Sequence, residues 1–431
     1  MALELIYRRV EELKPHPNNA RVHSKKQVAQ IVASISEAGF ANPILHDEND
    51  VIIAGHGRLL AAKQLKIETV PAIQLRGLSE AQKAALRVAD NKIAQNSAWD
   101  PDLLRLELET IELEGLDLEL TGFSTGEIDI LRMDDDPDDD QIPEVSEMAI
   151  SRPGDIWRLN QHRLACGDVR DRELMAKLMA GVTADAAFLD PPYNVKVNGH
   201  AGGKGAIKHR EFALASGEMS SSEFMAFLKA TLGACVAVSR DGAVHFVCMD
   251  HPHIEELTQA CNSIYGQRLT LCVWVKSNAG MGGLYRSQHE LVFVYRVGEA
   301  PHRNNVELGK HGRNRTNVWE YASVNAFGAR AQDLALHPTV KPVGLVADAI
   351  KDVTRPGEVV LDAFLGSGTS LIAAERTRRV FRGVDIDPLY VDLAISRWQD
   401  LTGGLALHAE TGQSFTQTQL ERGRARLAAD A

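Results

Sequence analysis

Several features that define whole classes of protein are missing from this sequence. No apolar run approaches the roughly 18 residues of a membrane-spanning helix, and the first residues, MALELIYRRVEELK, contain no apolar core of a signal peptide. Cysteine is scarce, and the five residues show neither a Cys-x-x-Cys pair nor zinc spacing (Cys166, Cys235, Cys248, Cys261 and Cys272). We therefore expect reduced core thiols in a cytoplasmic protein that has no membrane contact and no metal.

Positive charge is short in only one part of the chain. The 431 residues, 44% hydrophobic and 24% charged, have a globular composition and enough length for two or three domains. The formal net charge is −11. Residues 1–150 contain 15 Lys and Arg against 28 Asp and Glu, whereas residues 151–431 contain 32 against 30. The acid therefore does not exclude a nucleic-acid partner for the second part.

The acid is concentrated between Asp100 and Glu147, which favours a domain boundary there. Apolar residues at helical spacing predict an acidic amphipathic helix in the first part of this segment. Met133–Glu144 follows, with six Asp around Pro137, and like-charge repulsion predicts an extended, solvated linker. We divide the chain into residues 1–97, an acidic helix and linker over 98–150, and residues 151–431.

The two large parts show different patterns of elements. Residues 1–97 combine helices with short strands, which is an α+β pattern. Residues 151–431 alternate strands and helices, and several strands are continuously apolar, as buried parallel strands are. The predicted fold class is therefore α/β, with a smaller α+β domain before it.

A glycine-rich loop is the sharpest local signal. In EVVLDAFLGSGTSLIAAE, a buried strand ends at Asp362, and Gly366-Ser367-Gly368 opens a helix. Glycines there let a ligand approach backbone N–H groups at a helix N-terminus. The next strand ends at Asp385, where a carboxylate suits a ribose diol. The loop is neither a P-loop nor a full GxGxxG, and a plain tight turn is the alternative.

A second signal is Asp190-Pro191-Pro192-Tyr193, directly after an apolar strand. The two prolines fix the backbone and lack N–H donors, so their carbonyls are left to accept hydrogen bonds. An acid and carbonyl acceptors beside an aromatic ring suit an exocyclic amine on a planar ring. A strand-terminating turn is the alternative for this tetrapeptide.

Together the two signals resemble the DNA amino-methyltransferases, whose DPPY motif matches Asp190–Tyr193 and whose FxGxG loop matches Phe364–Gly368. The resemblance covers about Gly154 to Leu401 and implies a Rossmann-like class I fold that binds S-adenosylmethionine. HPTVKP resembles a segment near the methionine end of this cofactor, and LACGDVRD one near its adenine. The implied cofactor residues are Asp168, His337, Thr339, Lys341, Asp362, Phe364, Gly366, Ser367, Gly368, Thr369 and Asp385.

The order of the motifs refines the resemblance. The target motif precedes the cofactor motif, as in the β group of these enzymes, and its acid is Asp, as in adenine-N6 enzymes. Cytosine-N4 methylation is the runner-up. A DNA-binding partition or regulatory protein with a vestigial methylase domain is the rival from another class, and RNA or protein methylation is disfavoured.

The resemblance implies direct methyl transfer to an adenine that has left the base stack of double-stranded DNA. Tyr193 would stack on the base, and Asp190 and the Pro191 carbonyl would accept the two N6 hydrogens, with Pro192 shaping the motif. A homodimer is compatible with the sequence.

Two basic segments are candidates for DNA contact. Asn194–Phe212 is rich in Gly and Lys, and Pro301–Arg315 lies in the segment, about 298–335, where β-group enzymes place target recognition. Basic side chains suit phosphates, and a solvated loop is the alternative for each segment. The candidate DNA-binding residues are Lys204, Lys208, Arg303, Lys310, Arg313 and Arg315. Asp250-His251-Pro252-His253 we interpret as a polar helix start rather than a metal site.

The N-terminal part resembles the ParB-like, sulfiredoxin-fold domain over about Leu13 to Asn91. The family's GERR-type box, which binds nucleotide phosphates, corresponds to Gly55-His56-Gly57-Arg58, where Arg58 is retained and the Glu-Arg pair is replaced. The sulfiredoxin cysteine is absent. Two interpretations stay open for this N-terminal part. It either contacts DNA or regulates the protein, or it serves as a structural spacer.

Overall fold

The computed structural model describes residues 3–94, 97, 99–131, 137–143, 146, 148–195, 217–277, 279, 284–306, 308, 315–322 and 340–429. The chain divides into two compact units, Met1–Met133 (unit 1) and Asp134–Ala431 (unit 2). Among the described residues, no helix has the length and apolar character that crossing a membrane requires.

Unit 1 is built around a four-stranded sheet with the strand order β1-β4-β2-β3. Its elements are β1 (Leu5–Arg9), α1 (Lys25–Ala38), β2 (Ile44–His46), β3 (Ile52–Ala54), α2 (His56–Gln64), β4 (Thr69–Gln74) and α3 (Glu80–Lys92). Ile44, Ile52, Leu59 and Val70 form the centre of its core. Ser79 is the N-cap of α3, and its capping box uses Gln82.

The acidic amphipathic helix predicted after this sheet is two helices. They are α4 (Pro101–Leu113) and α5 (Thr125–Leu131), joined through a 3₁₀ turn at Leu118–Thr121. Gly115 and Gly122 between them adopt positive φ, which interrupts a continuous helix. Leu104, Leu108 and Ile128 pack into a small core of their own.

The prediction of an extended, solvated linker is wrong for part of the aspartate run. Pro137–Asp140 forms a 3₁₀ turn, and the Asp139 side chain is 6% exposed. Both Asp139 carboxylate oxygens accept hydrogen bonds from Arg376 Nε, at 2.9 and 2.8 Å. The sequence predicted a solvated segment because like charges repel. The Arg376 guanidinium offsets this repulsion at Asp139.

Unit 2 contains a ten-stranded sheet, parallel at its centre, with the order β11-β9-β10-β8-β7-β12-β13-β6-β5-β14. Its strands are β5 (Ile156–Leu159), β6 (His162–Cys166), β7 (Ala184–Leu189), β8 (Ser239–Met249), β9 (Gln267–Val275), β10 (His289–Arg296), β11 (Val318–Glu320), β12 (Val359–Asp362), β13 (Val380–Asp385) and β14 (Ala406–His408). The predicted α/β class is confirmed.

Helices cover the sheet of unit 2 and enclose two apolar clusters. They are α6 (Arg172–Met179), α7 (Ser221–Ala237), α8 (Ile254–Asn262), α9 (Val343–Val353), α10 (Thr369–Arg376), α11 (Pro388–Thr402) and α12 (Phe415–Ala429). All five cysteines are buried and free, as predicted. The polar helix start is also confirmed, because Asp250 accepts hydrogen bonds from the backbone and ring of His253, just before α8.

Candidate active site

The two predicted motifs lie at the carboxyl ends of neighbouring parallel strands. Asp190 follows β7, and Phe364–Gly368 follows β12, with which β7 pairs directly. From β7 the chain continues to β8 on one side, and from β12 to β13 on the other. This is a topological switch point, where open α/β sheets bind their ligands.

Asp190 is held by hydrogen bonds to both of its carboxylate oxygens. Tyr193 Oη lies 2.6 Å from Oδ1, and Lys341 Nζ lies 2.6 Å from Oδ2. About a quarter of the Asp190 side chain (26%) is exposed. The carboxylate is therefore fixed in orientation and still open on one side.

Lys341 lies at the target motif, although the sequence assigned it to the cofactor. Its Nζ is 2.6 Å from Asp190 and 2.6 Å from Glu290 Oε1. The lysine is 5% exposed, so its charge is balanced by these two carboxylates rather than by water. In this structure Lys341 therefore lies beside Asp190.

Glu290 and Lys276, which the sequence analysis did not single out, complete a group of four charges. Glu290 Oε1 accepts from Tyr193 Oη at 2.7 Å, and Oε2 lies 2.9 Å from Lys276 Nζ. Glu290 is near the start of β10, and Lys276 follows β9, its partner strand. We call Asp190, Glu290, Lys341 and Lys276 the charge cluster.

Burial and pairing shift the pKa values of the charge cluster in opposite directions. Burial raises the pKa of Asp190, although Lys341 opposes this. Burial acts likewise on Glu290, but Lys341 and Lys276 outweigh it and lower the pKa of Glu290 to about 2. Burial disfavours the Lys341 ammonium, but Asp190 and Glu290 raise its pKa above the ordinary value. Glu290 and Lys341 are therefore ionised at neutral pH.

The charge cluster contains its own cation. Asp190, Glu290 and Cys248 bring potential ligand atoms within 4.8 Å of one another. The Lys341 ammonium lies within 2.6 Å of both carboxylates. The Lys341 ammonium therefore neutralises negative charge that a bound metal ion would otherwise have to neutralise.

The backbone angles and the close packing of the glycine loop explain why it contains glycine. Gly366 and Gly368 have φ of +50° and +82°, and a Cβ at Gly368 would lie 2.7 Å from the Ala394 Cβ in α11. Thr369 begins α10 directly after this loop. Buried Arg397 donates to the Ser367 carbonyl at 3.1 Å and fixes the loop from behind. The sequence gave no local signal for Arg397, which lies on α11.

Two carboxylates, buried Asp362 and partly buried Asp385, flank this loop. Asp362 Oδ1 accepts from the Phe364 N–H at 2.9 Å, and Asp385 Oδ2 accepts from the Gly366 N–H at 2.9 Å. Burial raises the pKa of Asp362 to about 7 and that of Asp385 to about 6. A carboxylate at the tip of β13 and loop glycines at a helix start fit a nucleoside-type cofactor.

Asp168 lies in the loop after β6, next to Asp385. The Gly167 N–H donates to the Asp385 carbonyl at 2.8 Å, which brings the two loops together. The Asp168 carboxylate pairs with Arg170, whose Nη2 is 2.6 Å from Oδ2, and this pairing lowers the pKa of Asp168. Asp168 is therefore ionised in this structure.

The structure places Arg303 and Arg315, both predicted to contact DNA phosphates, in ion pairs. Arg303 pairs with Glu358 at 2.8 Å, and Arg315 pairs with Asp348 at 2.8 Å and Asp352 at 2.7 Å. Both guanidinium groups therefore have acidic partners within unit 2. Six further predicted site residues lie outside the described residues: Lys204, Lys208, Lys310, Arg313, His337 and Thr339.

Comparison with known families finds three family models that match successive parts of the chain. A DNA methylase family model matches residues 184–396, which span both motif loops and the strands between them. A ParB N-terminal domain model matches residues 4–92. The chain joins a ParB domain to a DNA methylase domain. A ParB-methyltransferase HTH domain model matches residues 102–153, where the sequence predicted an acidic helix and a linker.

Individual relatives match each domain separately. The ParB domain belongs to the family of the ParB-like nuclease domain-containing protein YnaK of Escherichia coli (strain K12), with 53% identity over 81 residues, 19% of this chain and 93% of that protein. The methylase domain is similar to the type II methyltransferase M.HpaI of Haemophilus parainfluenzae, with 23% identity, 49% of this chain and 67% of that protein. The crystal structure of the M1.HpyAVI–SAM complex aligns with a TM-score of 0.41 and 17% identity, over 54% of this chain and 97% of that one. Residues 184–396 match the DNA methylase family, and this match supports S-adenosylmethionine as the cofactor.

Proposed function

We propose that this chain methylates the N6 amino group of adenine at a specific site in double-stranded DNA, with S-adenosylmethionine as the methyl donor. The observation that carries the proposal is the Asp190 carboxylate, fixed by Tyr193 and Lys341 at the switch point beside the glycine loop. When bound, the cofactor supplies an electrophilic methyl group. The residues of the chain supply orientation and a proton acceptor.

The target motif would hold a base that has been turned out of the duplex, because adenine N6 is out of reach inside the stack. The Tyr193 ring offers a stacking face, while its hydroxyl stays bound to Asp190 and Glu290. Asp190 and the Pro191 carbonyl would accept the two amino hydrogens, with Pro192 rigidifying the backbone. Such fixed acceptors act mainly by positioning and electrostatics.

The cofactor residues of the proposal surround the glycine loop. Asp385 would accept the ribose hydroxyls, and Asp168 would lie at the adenine. The backbone of Phe364–Gly368 with Thr369 and Asp362 would contact the remainder, and His337 and Thr339 would lie at its methionine end. The position of Asp385 at the tip of β13, where its Oδ2 accepts from the Gly366 N–H of the loop, supports this arrangement.

Adenine is preferred over cytosine because the acid of the target motif is Asp. An Asp190 carboxylate that keeps a raised pKa is also a suitable final acceptor for the proton that the methylated amine releases. Both adenine N6 and cytosine N4 are exocyclic amines, so the product must be identified chemically.

The domain boundaries and partners extend the proposal. We assign residues 1–97 to the ParB domain, 98–150 to the intervening segment and 151–431 to the methylase domain, with target recognition at about 298–335. Lys204, Lys208, Lys310 and Arg313 would contact DNA phosphates. A homodimer would be visible in the molar mass of the purified protein in solution.

Nucleoside mass spectrometry of DNA from cells that express the chain tests the proposal. We expect N6-methyladenine among the nucleosides, with none above background for Asp190→Ala, and single-molecule sequencing of the same DNA should place it in one short sequence motif. The variant should still bind S-adenosylmethionine, because Asp190 belongs to the target motif. N4-methylcytosine instead would correct the base, and unmodified DNA from the wild-type chain would refute the proposal.

A further inference from the structure

Glu290 is a buried carboxylate in contact with three groups of the target site. Its Oε1 is 2.7 Å from Tyr193 Oη and 2.6 Å from Lys341 Nζ, and its Oε2 is 2.9 Å from Lys276 Nζ. The side chain is 5% exposed, so none of these contacts is made in bulk water. A charge in such a position affects its neighbours far more than a surface charge does.

The charge cluster is balanced only when Glu290 is ionised. Two carboxylates then face two ammonium groups, and Lys341 lies between Asp190 and Glu290 at 2.6 Å from each. Without the charge of Glu290, Lys341 would lose one of the two carboxylate charges that lie 2.6 Å from its Nζ, and Lys276 would lose the carboxylate 2.9 Å from its own Nζ. Tyr193, whose hydroxyl now lies between both acids, would face a neutral and weaker acceptor at position 290.

We propose that Glu290 is a positioning residue for methyl transfer, which acts through Lys341 and Tyr193 to hold the Asp190 carboxylate ready to accept a proton. The inference rests on the proposed function. In the reaction, the bond between N6 and the methyl carbon forms as the bond between that carbon and the donor sulfur breaks. The nitrogen then releases one proton, which Asp190 accepts.

The charges around Asp190 explain why the loss of Glu290 would slow this step. Burial raises the pKa of Asp190, Lys341 lowers it, and the negative charge of Glu290 raises it again. A neutral side chain at position 290 would therefore lower the pKa of Asp190 and bind its carboxylate more tightly to Lys341. The titratable groups around Asp190 and Glu290 are Lys341, Lys276, Tyr193, Cys248 and Asp362.

Glu290→Gln tests the inference in the full-length chain, because it removes the charge and keeps the shape. The measurement is the single-turnover rate of methyl transfer at saturating DNA and S-adenosylmethionine, from about pH 5.5 to about pH 9. We expect a rate lowered about tenfold or more at neutral pH. The affinity for S-adenosylmethionine should stay unchanged, and the acid limb of the pH profile should move to lower pH. Glu290→Asp should recover part of the rate, and Glu255→Gln, at an exposed position on α8, is the matched control.

Three results would overturn the inference. One is a wild-type rate and pH profile in Glu290→Gln. Another is an equal loss of rate at every pH together with weaker cofactor binding and a lower melting temperature, since that describes a structural residue. A wild-type chain that modifies no DNA would refute the proposed function as well, whereas an active wild type with an unaffected Glu290→Gln refutes this inference alone.

Discussion

Asp385 is a partly buried carboxylic acid at the tip of β13, and its loss of hydration there raises its pKa to about 6. Above pH 6 it is a carboxylate, which can accept hydrogen bonds from both hydroxyls of a ribose, whereas below pH 6 one oxygen carries a proton. The ionised form of Asp385, which would bind the ribose, exists mainly above this pKa and is lost as the pH falls. The affinity for S-adenosylmethionine should therefore drop about tenfold between pH 7 and pH 5.

Calorimetric titration of the protein with S-adenosylmethionine at several pH values checks this expectation. Asp385→Asn should bind more weakly at pH 7 and should lose most of the pH dependence near pH 6. We expect the remaining pH dependence of the affinity to come from Asp362. Its pKa is about 7, and its carboxylate accepts a hydrogen bond from the Phe364 N–H of the loop. An affinity that is constant from pH 7 to pH 5 would show that Asp385 does not bind the ribose as a carboxylate.

At the scale of residues, the sequence predicted those parts of the site that lie in continuous motifs. Asp190, the glycine loop and Asp385 follow strands directly, so their place at one edge of the sheet could be inferred. The charge cluster could not, because Glu290, Lys276 and Lys341 come from three segments that only the folded sheet brings together. The weak signal available was an acid at the start of an otherwise apolar strand.

At the scale of elements, the aspartate run shows how composition can mislead. Six aspartates predicted solvation, yet the turn Pro137–Asp140 is bound by cations from two helices. Arg376 of α10 binds the Asp139 carboxylate, and Arg397 of α11 donates to the Asp139 carbonyl at 2.5 Å. Asp140 Oδ1 accepts from the Val343 N–H at the start of α9. Composition describes the charge of a segment but not the partners that distant helices provide.

Asp139→Ala should therefore destabilise unit 2. The substitution leaves the Arg376 guanidinium, which is 38% exposed, without its buried partner. Because that group can still be hydrated, we expect a loss of about 1–3 kcal/mol in the free energy of unfolding. Urea denaturation of the variant and of Asp400→Asn, an exposed acid on α11, measures the difference. Equal urea midpoints for the two variants would show that Asp139 does not stabilise unit 2, which is the result expected of a solvated linker.

At the scale of the whole molecule, the two units have separate apolar cores. Ile44, Ile52 and Val70 belong to the core of unit 1, whereas the two large clusters beneath the ten-stranded sheet belong to unit 2. Cores without shared residues favour separate unfolding transitions, as in other multidomain proteins. The proposed cofactor residues all belong to unit 2, so a ligand bound there should stabilise one transition only.

Differential scanning calorimetry of the full chain should accordingly show two transitions. At a concentration about 100-fold above its dissociation constant, S-adenosylmethionine stabilises the state that binds it by about 2.7 kcal/mol. For a unit of this size that raises the melting temperature by roughly 4 °C, and only the transition of unit 2 should move. Asp385→Asn should abolish most of this shift and leave the transition of unit 1 in place. A single transition that moves as a whole would instead mean that the ParB domain and the methylase domain unfold as one cooperative unit, so that cofactor binding in one is felt by the other.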